Sequence, residues 1–145
     1  MELTSKKILT PIILGLIIWI LAFFLIGWTQ ISEDPAIQDL YIPMVILFGI
    51  GTIILMIVFL LWYFPYLALD LEQEWLKESL FFGIVVMGVQ YTLDIIVFTL
   101  MNMDLITYFF GIFLGNPDGS TVMIMYPLIL VWAVLSGFVT MRMKT

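Results

Sequence analysis

The sequence predicts an all-α membrane protein: a bundle of four transmembrane helices, with a short interfacial or re-entrant helix between the third and fourth. Three observations predict it. The 145 residues are 63% hydrophobic and only 11% charged, whereas soluble domains are about half apolar and about a quarter charged. Four stretches reach the roughly 20 mostly apolar residues that a helix needs to cross the hydrocarbon. The basic residues are confined to flanks that an even number of crossings places on one side.

The first stretch covers residues 8–28. It is too long for the core of a cleaved leader and ends in Gly27-Trp28-Thr29-Gln30 rather than a small-residue cleavage site, so it reads as a retained span. Pro11 falls in its first turn, where a missing N–H is harmless. The second stretch, 41–67, carries Pro43 near its start and Pro65 near its far end. It is the longest, and its surplus is taken up by tilt or by a final turn around Trp62, Tyr63 and Tyr66. The linker from Asp70 to Glu78, DLEQEWLKE, reads as a solvated helical elbow whose Leu71, Trp75 and Leu76 are spaced to lie on the membrane surface. Its carboxylates lack the spacing and glycine turn of a calcium loop, so no metal site is expected there.

The third stretch covers 79–100 and the fourth 121–141. Pro127, about two turns into the fourth, should loosen the ladder there. Between these two spans lies LITYFFGIFL, residues 105–114. As a helix it measures only about 15 Å, too short to cross, and it is set off by turn residues at Asn102-Met103-Asp104 and Asn116-Pro117-Asp118-Gly119. Its Gly111 and Gly115 read as freedom to end and turn. The whole chain, 1–145, forms one membrane domain with no repeat or soluble module.

Orientation follows from Lys and Arg. Lys6 and Lys7 precede the first span, Lys77 lies between the second and third, and Arg142 and Lys144 follow the fourth. A multi-pass protein of the plasma membrane with both termini cytoplasmic is expected. Trp28 and Tyr41 then mark the outer boundary, and Trp62, Tyr66 and Trp75 the inner one.

Composition excludes much chemistry. With 5 basic against 11 acidic residues, the cationic footprint of a nucleic-acid binder is missing. Zero His and zero Cys remove the commonest general base, haem and zinc ligands, thiol nucleophiles and disulfides. No enzymatic activity and no cofactor are expected.

Asp94 is the one ionisable residue inside a predicted span, and an intramembrane acid is a functional hypothesis with a partner to be named. Placing it at a span centre costs roughly 3 kcal/mol, which the surrounding Leu, Ile, Val and Phe offset. Its carboxyl should therefore face protein or water. Gly83, Gln90, Tyr91 and Asp94 share one helical face, making Gln90 and Tyr91 its local polar neighbours. Counting depth at 1.5 Å per residue puts Trp19, Trp132 and Gly49 near its level. Each indole N–H needs a partner when buried, so at least one of Trp19 and Trp132 is expected to bond Asp94 or Gln90. Gly49 and Thr52 would let the second span approach closely, as Gly83 would the third. With no Lys or Arg inside the bilayer, the carboxyl is expected to be carried protonated.

Leu93-Asp94, Met101-Asn102-Met103, Tyr108-Phe109 and the Pro127-bearing last span resemble a group of small four-span integral membrane proteins of bacteria and archaea to which no activity is assigned. That resemblance implies four spans and no site residue or cofactor. Intramembrane aspartyl proteases resemble the YTLD stretch, but their chemistry needs two carboxylates sharing a proton, and only one lies in the membrane here. Small multidrug exporters resemble the chain in span number, yet place their essential acid in the first span, which has none here. The expected role is a structural, accessory or assembly subunit packing on another membrane protein or a second copy. The alternative is a transporter or channel component coupling protons or a small cation through Asp94.

Overall fold

The computed structural model describes residues 5–27, 29, 33–63, 71–102 and 122–144, and within them the chain is helical with no strand. Helix α1 is Ser5–Ala22, continued by a π-helical turn over Phe23–Gly27; α2 is the single turn Pro35–Gln38; α3 is Tyr41–Tyr63, α4 Leu71–Leu100 and α5 Val122–Lys144. Four segments are long and apolar enough to cross a membrane: Lys7–Gly27, Pro35–Trp62, Gln73–Leu100 and Tyr126–Met143. They are consistent with a multi-pass membrane protein. The short helix expected at 105–114 lies outside the described residues.

Local sequence sets several boundaries. Asp34 caps α2, its carboxylate accepting from the Ala36 N–H at 3.0 Å, and Pro35 fills the first helical position. At its far end α4 stops at Asn102, whose φ of 55° is left-handed. Asn adopts that conformation more readily than other non-glycine residues, and it ends a helix without a Gly. The linker expected as a solvated helical elbow is helical from Leu71, and it runs unbroken into the third span as the start of α4. Glu, Gln, Lys, Leu and Trp all sustain a helix, so nothing there interrupts it. Pro11 likewise lies deeper than the first turn, because α1 already begins by Ser5. Its ring removes the N–H that would bond the Lys7 carbonyl.

The four long helices form a ring in which α4 lies between α1 and α5, and α3 closes the circuit between α5 and α1. Although consecutive in the chain, α3 and α4 occupy opposite corners. Side-chain register gives their directions. Lys7 meets Glu78 and Trp19 meets Asp94, so α1 and α4 run parallel. Gly83 meets Ala133 while Asp94 meets Tyr126, so α4 and α5 run antiparallel. Ser136 reaches the Ile53 carbonyl and Trp132 covers Gly49, making α3 and α5 parallel. The start of α1 and the end of α5 therefore lie at the same end of the bundle.

The core layer is apolar, built from Leu14, Ile18, Phe82, Val86, Ile129 and Ala133. Outward positions are equally apolar, with Ile13, Leu16, Ile46, Ile54, Ile84 and Leu135 exposed. Helices that are hydrophobic all round suit a lipid surrounding, because a soluble bundle would present polar residues on that outer face.

Candidate functional site

Two stripes of residues spaced four apart bring the interior polar groups together. Along α1 the stripe is Lys7, Pro11, Gly15 and Trp19; along α4 it is Glu78, Phe82, Val86, Gln90 and Asp94. Residues four apart share a helix face, and because α1 and α4 run in the same direction the stripes meet in order. Three polar ties result. The Lys7 ammonium bonds Glu78 Oε1 at 3.1 Å. The Gln90 amide donates to the Gly15 carbonyl at 2.5 Å, and the Trp19 indole N–H donates to Asp94 Oδ1 at 2.8 Å. Gly15 makes the middle tie possible, since a Cβ there would stand 2.8 Å from Val89 Cβ.

Asp94 is the point where three helices join. Its second oxygen, Oδ2, accepts from the Tyr126 hydroxyl of α5 at 2.6 Å. Each carboxyl oxygen thus has a donor from a different helix, and the acid is only partly exposed. The two donors differ in kind: an indole N–H can only donate, whereas a phenol can donate or accept. Protonation of Oδ2 is therefore accommodated by reversing the Tyr126 bond, with Trp19 left in place. Trp19 stacks on Phe23, the first residue of the π turn, with ring centroids 5.6 Å apart.

The other expected site residues are placed elsewhere. Gln90 serves Gly15, not Asp94. Tyr91 is exposed on the outside of α4 and packs edge-on to Tyr126 at 5.6 Å. Trp132 sits six residues deeper than Tyr126, about 9 Å along the helix. There it packs edge-on to Phe48 and lies against Gly49, 3.3 Å from where a Cβ would stand. Thr52 is buried with no hydrogen-bond partner for its hydroxyl. At Gly83 a Cβ would fall 2.7 Å from Ala133 Cβ, so the missing side chain lets the Ala133 methyl of α5 pack close against α4 there.

A second polar centre lies toward the end of the bundle where α1 starts and α5 finishes. The Lys7 and Glu78 side chains are 4% and 2% exposed, so the pair belongs to the interior and not to a solvated flank. Sixteen residues of α4 separate Glu78 from Asp94, about 24 Å, so the two centres lie toward opposite ends of the bundle. Ser79, beside Glu78, is buried with its hydroxyl pressed into the notch of Gly137 and without a hydrogen-bond partner. One turn away, Thr140 bonds back to the Ser136 carbonyl at 2.7 Å.

Lys7, Glu78, Gly15, Tyr126 and Gly137 are thus site residues that sequence reasoning leaves out. The signal for the first pair was opposite charge at the starts of two spans; Tyr126 carried only the general need of a buried phenol for a partner. Among the described residues no three acidic side chains gather in a metal-binding group. Comparison of the chain with family models, curated proteins and solved structures finds no match.

Proposed function

We propose that this chain is a non-enzymatic, multi-pass protein of the plasma membrane that serves as a structural, accessory or assembly subunit, with both termini cytoplasmic and no cofactor. The observation that carries this reading is the double occupancy of Asp94. A carboxyl whose two oxygens each hold a donor from another helix fixes the mutual register of α1, α4 and α5, as interhelical polar contacts do in bilayers. Its partners are lipid and either a second membrane protein or a second copy. Extraction in mild detergent followed by mass measurement and co-purification tests this. Reproducible stoichiometric partners support it, and a self-contained particle that moves ions across liposome membranes refutes it. Reporter fusions after Lys144 and within 103–121 test the orientation, with the cytoplasmic signal expected only at the former.

A second reading, coupling of protons or a small cation at Asp94, is favoured by one observation: the acid is partly exposed and bonded to a phenol whose hydrogen bond can reverse. Flux in proteoliposomes, measured across a pH gradient for the native chain and Asp94→Asn, separates the two. Flux lost in the variant supports coupling, and no flux in either supports the subunit reading.

A further inference from the structure

A row of aromatic rings gathers round the Asp94 carboxyl. Trp19 and Tyr126 bond its two oxygens. Phe23 stacks on Trp19 with ring centroids 5.6 Å apart and planes inclined at 21°, Phe24 meets Phe23 edge-on, and Tyr91 meets Tyr126 in the same way. Phe23 is 44% and Phe24 68% exposed, and the acid itself is partly exposed, so the cluster is open to a ligand on its α1 side. Phe23 and Phe24 begin the π-helical turn, and single π turns are frequent at functional sites. Lys7, Lys77 and Arg142 belong to the other end of the bundle, where Lys7 is tied to Glu78 and Gly137 receives Ser79. Among the described residues, then, no basic side chain stands beside this carboxyl.

An acid flanked by rings and by no basic group selects one class of ligand. The π face of a ring attracts positive charge, and an ionised carboxyl attracts it directly, the more so where water is partly excluded. Each oxygen of Asp94 keeps lone-pair capacity after accepting one bond, so the Trp19 and Tyr126 ties hold the acid in place without closing it to a cation. Any proton on the carboxyl leaves to solvent as the ligand enters, and the ligand then meets an anion. A bare metal ion fits poorly, because calcium takes about six to eight oxygens and magnesium a full octahedron, and among the described residues no three acidic side chains gather. An organic ammonium or phosphonium instead carries its charge on an apolar body, which gains by leaving water for the exposed rings of α1.

We propose that Asp94, Trp19 and Phe23 form a binding site for one lipophilic organic cation. Binding holds whether or not flux follows, so the inference goes beyond both readings of the chain's role. The test is equilibrium dialysis of the full chain in detergent against tetraphenylphosphonium, with protein-free micelles as the blank and tetraphenylborate, an anion of nearly the same shape, as the comparison. The native protein should bind the phosphonium saturably, one per chain, and the borate about tenfold more weakly or worse. Asp94→Asn, which keeps both interhelical bonds, should weaken phosphonium binding by about tenfold or more. Phe23→Leu should weaken it about two- to fivefold, the worth of one cation–π contact at an exposed site. Glu74→Gln, which removes an acid near the other end of α4, should bind like the native chain. The proposal is overturned if the native protein takes up both ions alike, because apolar surface alone then suffices, or if Asp94→Asn binds the phosphonium as the native chain does. It is equally overturned if Glu74→Gln loses as much as Asp94→Asn, because the attraction is then diffuse. The borate comparison needs no variant, so it decides the matter even where Asp94→Asn unfolds. Failure of this site shows in the binding isotherm of the isolated chain, whereas failure of the subunit reading shows in co-purification and flux.

Discussion

Replacing Asp94 by Asn and by Leu should give very different results. Asn keeps an oxygen for the Trp19 indole and gains an amide N–H that the Tyr126 hydroxyl can accept, so both ties of 2.8 and 2.6 Å survive. Leu keeps neither. Interhelical side-chain bonds within bilayers contribute about 0.6 kcal/mol on average and up to about 1.7 kcal/mol. Losing two should therefore cost about 1–3 kcal/mol in Asp94→Leu, while Asp94→Asn should stay within about 0.5 kcal/mol of the native protein. Trp19→Phe and Tyr126→Phe each remove one donor, and because both act on one carboxyl their effects should not add. Reversible unfolding by SDS in mixed micelles, followed by circular dichroism, reads all four variants. The reasoning is wrong if Asp94→Asn unfolds as easily as Asp94→Leu, since the charge and not the hydrogen-bonding pattern would then be what the fold needs.

Three further outcomes follow from the same interior. Removing one member of the buried Lys7–Glu78 pair takes the opposite charge away from the other, so Lys7→Met and Glu78→Met should each cost up to about 3–5 kcal/mol, and the double variant should recover most of it in the same SDS assay. Gly83→Ala drives a methyl into Ala133 Cβ, whereas Gly51→Ala meets open space; the first should destabilise by about 1–3 kcal/mol and the second by nothing measurable. Thr52→Val removes a buried hydroxyl that has no partner and should stabilise the fold, by about 1–3 kcal/mol if the full desolvation penalty is relieved, read as a higher SDS midpoint.

The four spans were legible because transfer energetics act on each segment by itself. Their boundaries were less so. Hydropathy rejects the charges of the 70–78 linker, yet helix propensity carries α4 straight through it from Leu71. The same blindness hid the Lys7–Glu78 pair, whose partners are 71 residues apart and meet only once two helices have chosen each other. Around Asp94, depth counting places Trp19 at the right level but Trp132 too high. That count started from a boundary at Thr121, whereas the register of α5 is set by close approaches farther down, at Gly83 with Ala133 and Gly137 with Ser79. Such notches slide α5 along α4 until Tyr126, not Trp132, faces the acid. Spans announce themselves one at a time, but register is a property of pairs.

The parallel seam between α1 and α4 also orders events during synthesis. Every tie along it joins positions separated by 71 or 75 residues, so α1 is made before the side chains that Lys7 and Trp19 will bond. Until the nascent chain has extended past Asp94, the Trp19 indole lacks the acid it bonds in the finished fold. Tyr126, later still, closes the clasp. A chain arrested between those points should therefore lack the three-helix junction at Asp94.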